Sequence, residues 1–243
     1  DTVIIIDSLL FSFGTTYNFK IWTGFPNGFQ DQKHDNDTLI YLNLRSSLNG
    51  SYTIGGISSY FQSISEAVTY VNNHGICGPV VFDIFPGVYN EHFILNEVLG
   101  SSDVNSITFQ SSTGLNTDVE ITYEANSDID DYVVILDGAD NVVFRNMTLR
   151  ATGSEYADVI VITNSADNNL FDGNIIESIT DNKTKNPDCV RSNGGSLNDY
   201  NTFNGNFLIG GSSSFNFSGV SENELECGNI FTDNIMHDMM TYG

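Results

Sequence analysis

The residues with the most chemistry to offer are a few carboxylates and arginines in the second half of the chain. Asp188 and Arg191 lie three apart in Asn186-Pro187-Asp188-Cys189-Val190-Arg191. A carboxylate beside a guanidinium could line a cleft, but one carboxylate falls short of the base-plus-carboxylate cluster that a polysaccharide lyase or hydrolase needs. Asp128, Asp130 and Asp131 crowd together in Asn126-Ser127-Asp128-Ile129-Asp130-Asp131. Clustered oxygens of this kind can hold calcium, although the glycine and terminal glutamate of an EF-hand loop are missing. Glu222, Glu224 and Glu226 alternate, so in an extended strand they would share one face. Against both acidic groups stands the plainer reading of a solvated acidic surface.

Other nucleophile and metal patterns are lacking. His34, His74, His92 and His237 have no serine or cysteine partner at a Gly-x-Ser-x-Gly elbow, and no Gly-His-Gly turn occurs. Cys77, Cys189 and Cys227 show no zinc spacing and allow at most one disulfide, for which Cys189–Cys227 is the expected pair. Arg145 directly follows Phe144, so in a strand it points outward where Phe144 points in.

Composition narrows the classes further. The 243 residues carry 31 acidic and 8 basic side chains, a net charge of −23. Nucleic-acid binding needs a basic footprint, and that class is excluded. No apolar run reaches the roughly 18 residues of a membrane-spanning helix. With 29 asparagines and 22 glycines, the chain is rich in residues that tolerate tight corners.

The elements that must position these groups are short. Val3–Ile6, Leu9–Phe13, Tyr17–Trp22 and Thr38–Leu44 read as strands, so residues 1–47 form a β segment too small to bury much surface alone. One helix is expected over about 59–74. Ser59 and Gln62 stand at capping-box spacing, Phe61, Ile64, Val68 and Val71 recur on one face, and Gly75 closes it. From Pro79 onward the chain repeats. Phe82, Phe109, Phe144, Phe171, Phe203 and Phe231 fall 27, 35, 27, 32 and 28 residues apart, and Asn174, Asn206 and Asn234 each follow a phenylalanine by three. Stacked coils explain this period: each Phe enters the lumen and each Asn forms a ladder at a bend. The predicted fold is therefore all-β, a right-handed parallel β-helix over 48–243, with the helix covering its open N-terminal end. The competing reading is an antiparallel sandwich with chance phenylalanine spacing.

The stretch Gly50-Ser51-Tyr52-Thr53-Ile54-Gly55-Gly56, the helix, then Gly78-Pro79-Val80-Val81-Phe82, Gly87-Val88-Tyr89-Asn90-Glu91 and Asn105-Ser106-Ile107-Thr108-Phe109-Gln110 resembles a recurring module. That module opens pectate-lyase-like parallel β-helices in large surface and secreted proteins of bacteria with a type IX secretion system. The stretch from Pro26 to Leu39 resembles the closing strands of an immunoglobulin-like adhesion domain, so 1–47 would be the end of a partial β-sandwich. Asp1-Thr2-Val3, Asp7-Ser8-Leu9 and Asp37-Thr38-Leu39 match the Asp-Ser/Thr-apolar triplet glycosylated in such bacteria, which makes Thr2, Ser8 and Thr38 candidate O-glycosylation sites. The resemblance implies an extracellular segment of a longer polypeptide, a stiff rod presenting a surface to carbohydrate or another ligand. Its alternatives are a polysaccharide lyase or glycoside hydrolase with an active site elsewhere in the coils, and a passive spacer.

Overall fold

The computed structural model describes residues 11, 15–22, 28, 38–180, 185–192 and 195–240. Two compact units divide the chain near Leu48. In the first, β1 (Tyr17–Trp22) and β2 (Thr38–Leu44) form an antiparallel two-stranded sheet, at the bounds the β-branched and aromatic runs predict. The strands expected at Val3–Ile6 and Leu9–Phe13 fall on residues outside the described set, apart from Phe11.

The second unit is a parallel β-solenoid, the parallel β-helix that the phenylalanine period predicts. It opens with β3 (Leu48–Ile54) and α1 (Ile64–His74). Coils follow in order: β4 (Ile76–Ile84), β5 (Gly87–Asn90) and β6 (Phe93–Asn96); β7 (Ile107–Ser111), β8 (Val119–Tyr123) and β9 (Val134–Asp137); β10 (Val142–Arg145), β11 (Thr148–Ala151) and β12 (Ile160–Thr163); β13 (Leu170–Asp172), β14 (Ile175–Glu177) and β15 (Asp188–Ser192); β16 (Thr202–Asn204), β17 (Phe207–Ile209) and β18 (Ser213–Asn216); then β19 (Ile230–Thr232) and β20 (Ile235–His237). The first strand of each coil joins sheet 1, the second sheet 2 and the third sheet 3, in the stacking order β19-β16-β13-β10-β7-β4-β3, β20-β17-β14-β11-β8-β5 and β18-β15-β12-β9-β6.

Register is set by what points inward. Phe82, Phe109, Phe144, Phe171, Phe203 and Phe231 are direct partners along sheet 1. Their ring centroids are 4.9–5.5 Å apart, close to the parallel strand spacing of about 4.8 Å. The first five are fully buried. Phe231 departs from the expected burial and is 42% exposed. One face lies on Phe203, and Phe215 and Phe217 meet it edge-on, but no further ring covers its other face among the described residues.

The corners follow from residues that accept left-handed backbone. Asn141 and Asn146, Asn168 and Gly173, Tyr200 and Gly205, and Gly228 and Asp233 bracket β10, β13, β16 and β19, all at φ between +52° and +69°. Each bracket is followed by an asparagine in the later coils, and these form two ladders. Asn174 N–H donates to Asn206 Oδ1 (3.0 Å) and Asn206 N–H to Asn234 Oδ1 (2.9 Å), while the side-chain amides of Asn174, Asn206 and Asn234 donate to the carbonyls of Phe144, Phe171 and Phe203. Asn169, Asn201 and Asn229 repeat the N–H to Oδ1 bonds at the other end of the strands, and the amides of Asn201 and Asn229 donate to the carbonyls of Ala166 and Asn198. In the β10 coil Met147 takes the ladder position, and Asn146 is the left-handed residue before it.

The helix begins four residues later than the Ser59–Gln62 spacing predicts. Ser63 is the N-cap and accepts from Glu66 N–H, while the Glu66 carboxylate accepts from Gln62 N–H. Glu91 accepts from Ile64 N–H, Ser65 N–H and the Ser65 hydroxyl (3.3, 2.7 and 2.6 Å), placing a negative charge at the helix N-terminus. Gly75 ends the helix at φ +64°. Phe61 precedes the helix and meets Phe82 edge-on, capping the ring stack.

Candidate functional site

The coils differ sharply where sheet 2 passes to sheet 3. That passage is widest in three successive coils, at residues 124–133, 152–159 and 178–187; it holds Asp128, Asp130 and Asp131, and the last of the three leads into Asp188 and Arg191 on β15.

Arg191 does not pair with Asp188. Its Nε donates to Asp158 Oδ2 at 2.7 Å, and Asp158 is almost enclosed, with 7% of its side chain exposed. Asp188 instead accepts from the Asn216 side-chain amide at 2.7 Å. The two aspartates are linked through the backbone, since Asp188 N–H donates to Asp158 Oδ1 and Asp158 N–H to Asp131 Oδ1 (2.7 and 2.8 Å). Asp131, Asp158 and Asp188 thus form one carboxylate row crossing three coils, with Arg191 against its middle member. Spacings of 27 and 30 residues, which match the coil period, were the signal for it.

Burial raises the pKa of all three; repulsion from Asp158 adds to it at Asp131 and Asp188, while Arg191 opposes it at Asp158. Asp131 is pushed up to about 6, first by burial and then by Asp158. The sign of the consequence is opposite to that of an ordinary paired carboxylate. The folded chain holds this proton more tightly than the unfolded one, so the contribution to stability is full below pH 3.8 and is lost as pH rises towards 6. The Asp128 charge acts on Asp131 in the same sense as Asp158, and Arg191 opposes them. Asp131→Asn keeps an acceptor oxygen for Asp158 N–H and removes the charge. After discounting for screening at a half-exposed carboxyl, it should stabilise the chain by about 1 kcal/mol at pH 7.5 and by almost nothing at pH 4, read from urea midpoints.

The calcium cluster expected at Asp128, Asp130 and Asp131 is not assembled. Asp128 pairs with Lys185 (3.1 Å). Asp130 accepts from the Ser127 hydroxyl and N–H and from the Tyr123 hydroxyl, which hold its pKa down at about 2. Asp131 faces Asp158 instead. Neighbours in sequence point three ways because the loop turns between them. Among the described residues no group of three His, Cys, Asp or Glu side chains is arranged to hold a metal ion.

The expected Cys189–Cys227 disulfide is also absent, and both thiols are free. Cys189 is buried with its sulfur against the carbonyls of Ile209 and Gly210, and burial pushes its pKa up to about 12, so it is an inert packing residue. Cys227 is exposed at a different corner, its sulfur against Asp199. The alternating glutamates do not share a strand face either. Glu222 and Glu224 are exposed in a turn, while Glu226 turns in to accept from the Ser192 hydroxyl and the amides of Asn198 and Asn229. Thr38 is exposed at the start of β2, while Thr2 and Ser8 lie outside the described residues.

A second carboxylate row stands at the corner before sheet 1. Asp167 N–H donates to Asp140 Oδ1, Asp199 N–H to Asp167 Oδ1 and Cys227 N–H to Asp199 Oδ1, each at 2.7 Å. Beside the first row, His92 is sandwiched between Tyr123 and Tyr132, with centroids at 3.7 and 4.8 Å, and burial lowers its pKa. Arg145 points outward as expected and pairs with its register neighbour Asp172 at 3.0 Å.

On the outer face of sheet 2, Arg150 stands between Glu120 and Glu177, at 3.6 and 2.9 Å. It opens onto a cleft of about 540 Å³ lined by Arg150, Thr152, Ser154, Glu177, Ser178 and Thr180 among others. Nothing in the linear sequence marks this cleft, because its walls come from two coils 27 residues apart.

No protein-family model matches the chain, and no curated protein matches it in sequence. Among solved structures, it is similar to the pectin methylesterase from Aspergillus niger in deglycosylated form, at 15% identity and a TM-score of 0.49 over 79% of this chain. It is also similar to an aspartate-to-alanine mutant of a pectin methylesterase in complex with a hexasaccharide, at 12% identity and a TM-score of 0.49 over 79% of this chain. The chain spans 60% of the length of the first of these and 69% of the second. Among the described residues, no helix is long and apolar enough to cross a membrane.

Proposed function

We propose that this chain is a segment of a secreted or cell-surface protein in which residues 48–243 form a stiff scaffold that binds carbohydrate without cleaving it. The observation that carries this reading is the recurrence of the carboxylate row. Asp140, Asp167 and Asp199 are joined by the same N–H to carboxylate bonds as Asp131, Asp158 and Asp188, and among the described residues no arginine joins their row of hydrogen bonds. A motif repeated at two corners is a way of joining coils, not a catalytic centre. Residues 1–47 then belong to the end of an immunoglobulin-like domain, export follows the type IX route, and Thr2, Ser8 and Thr38 carry O-glycans. These parts rest on the resemblance of the sequence motifs.

A second reading, a carbohydrate-active enzyme, is favoured by one observation. Burial and Asp158 push the Asp131 pKa up to about 6, beside an aspartate held by Arg191, an arrangement suited to proton transfer. The two readings part in a single assay. Incubation with neutral and acidic polysaccharides, followed by mass spectrometry of released products, should show retention on the polymer and no release. Release that disappears in Asp131→Asn, a variant expected to keep the fold, would establish the enzyme instead.

A further inference from the structure

We propose that the cleft beside Arg150 is a binding site for an uncharged glycan, with Arg150 donating to, and Glu177 accepting from, neighbouring hydroxyl groups; this rests on the carbohydrate-binding reading above. The volume of about 540 Å³ lies within the ~300–1,000 Å³ usual for ligand sites. Arg150 and Glu177 are both partly open to solvent, with 36% and 30% of their side chains exposed, and stand 2.9 Å apart. A donor fork beside a two-oxygen acceptor matches adjacent hydroxyls on a sugar ring, each of which donates and accepts. Thr152, Ser154 and Thr180 add hydroxyl groups around them. The Thr152 hydroxyl donates to Tyr123 O and so meets a ligand as an acceptor.

Charge decides the ligand class. Arg150 is already bracketed by Glu120 and Glu177, so the three groups sum to −1, within a chain of net charge −23. A uronate carboxylate would have to displace Glu177 from the guanidinium and then lie beside it. Like charges brought together in this way reject a ligand without any steric clash. A neutral sugar keeps the Arg150–Glu177 pair intact and bridges it.

Calorimetric titration of the full chain with cellohexaose, mannohexaose and hexagalacturonate tests this. A neutral hexasaccharide should bind, Glu177→Gln and Thr180→Ala should each weaken it, the former by about tenfold or more, and hexagalacturonate should bind at least about tenfold more weakly than the neutral sugar. Arg145→Ala, on the outer face of sheet 1, should leave binding unchanged, and circular dichroism of each variant separates lost binding from lost folding. Hexagalacturonate binding as tightly as the neutral sugar overturns the ligand class, and neutral binding untouched by Glu177→Gln and Thr180→Ala overturns the site. In both cases the carbohydrate-binding reading stands. No binding by any of the three, together with no retention on polysaccharide, overturns both.

Discussion

Phe171→Ala is expected to destabilise the coils by about 3–5 kcal/mol, the usual cost of removing a fully buried ring. Phe171 lies between Phe144 at 5.2 Å and Phe203 at 4.9 Å, with its plane within 5° of each. Both neighbours are fixed from beyond, by Phe109 and Phe231, so the stack cannot close over the gap. The cavity therefore persists, and the lost contacts add to the lost transfer energy. Phe231→Ala should cost clearly less, because that ring is already 42% exposed. Guanidinium unfolding followed by circular dichroism checks both. Since each coil contacts chiefly its neighbours, a broadened transition for Phe171→Ala would reflect separate loss of the two halves.

Asn206→Ala is expected to cost about 2–4 kcal/mol, through hydrogen bonds and not through packing. The side chain accepts from Asn174 N–H and from the Asn174 side-chain amide, and donates to Phe171 O and Asn234 Oδ1. The residue is 1% exposed, so water cannot replace these bonds, and each stranded buried partner carries a penalty of about 1–3 kcal/mol. Asn206→Asp is the sharper variant. It keeps an acceptor for Asn174 but loses the donor to Phe171 O, so it should be destabilising at pH 7.5 and partly rescued at pH 4, where the carboxyl can donate. Thermal melts at the two pH values distinguish this from a simple size effect.

The contrast between asparagine and aspartate rows also explains what could be read from the sequence. Phenylalanine and asparagine recur because sheet 1 imposes the same inward and corner positions on every coil, and the intervening lengths of 27–35 residues vary only in the loops. Such a repeat survives in the linear sequence. The row Asp131–Asp158–Asp188 follows the same period, but sequence adjacency suggested other groupings: Asp128 with Asp130 and Asp131, and Asp188 with Arg191. The loops between sheet 2 and sheet 3 send adjacent side chains to different partners, Lys185 for Asp128, Ser127 and Tyr123 for Asp130, and Asp158 N–H for Asp131. The late start of α1 has a similar cause. Ser59 and Ser63 both suit an N-cap, and the choice falls to Ser63 because Phe61 bridges Ile54 and leaves the helix no room to begin earlier. The Arg150 cleft was illegible for a simpler reason, since parallel stacking alone brings Arg150 and Glu177 into register.

The claim at the centre of this account is that the carboxylate rows join coils and are not held ready for catalysis. Native-state hydrogen exchange of the Asp158, Asp188, Asp167 and Asp199 amides tests it most directly, because their acceptors are the carboxylates themselves. If the rows join coils, these four amides exchange as slowly as those of Phe144 and Phe171 in the adjoining strands, with the same opening free energy. Exchange orders of magnitude faster at the four aspartates, with the strand amides still protected, would show carboxylates free of the backbone and would contradict it.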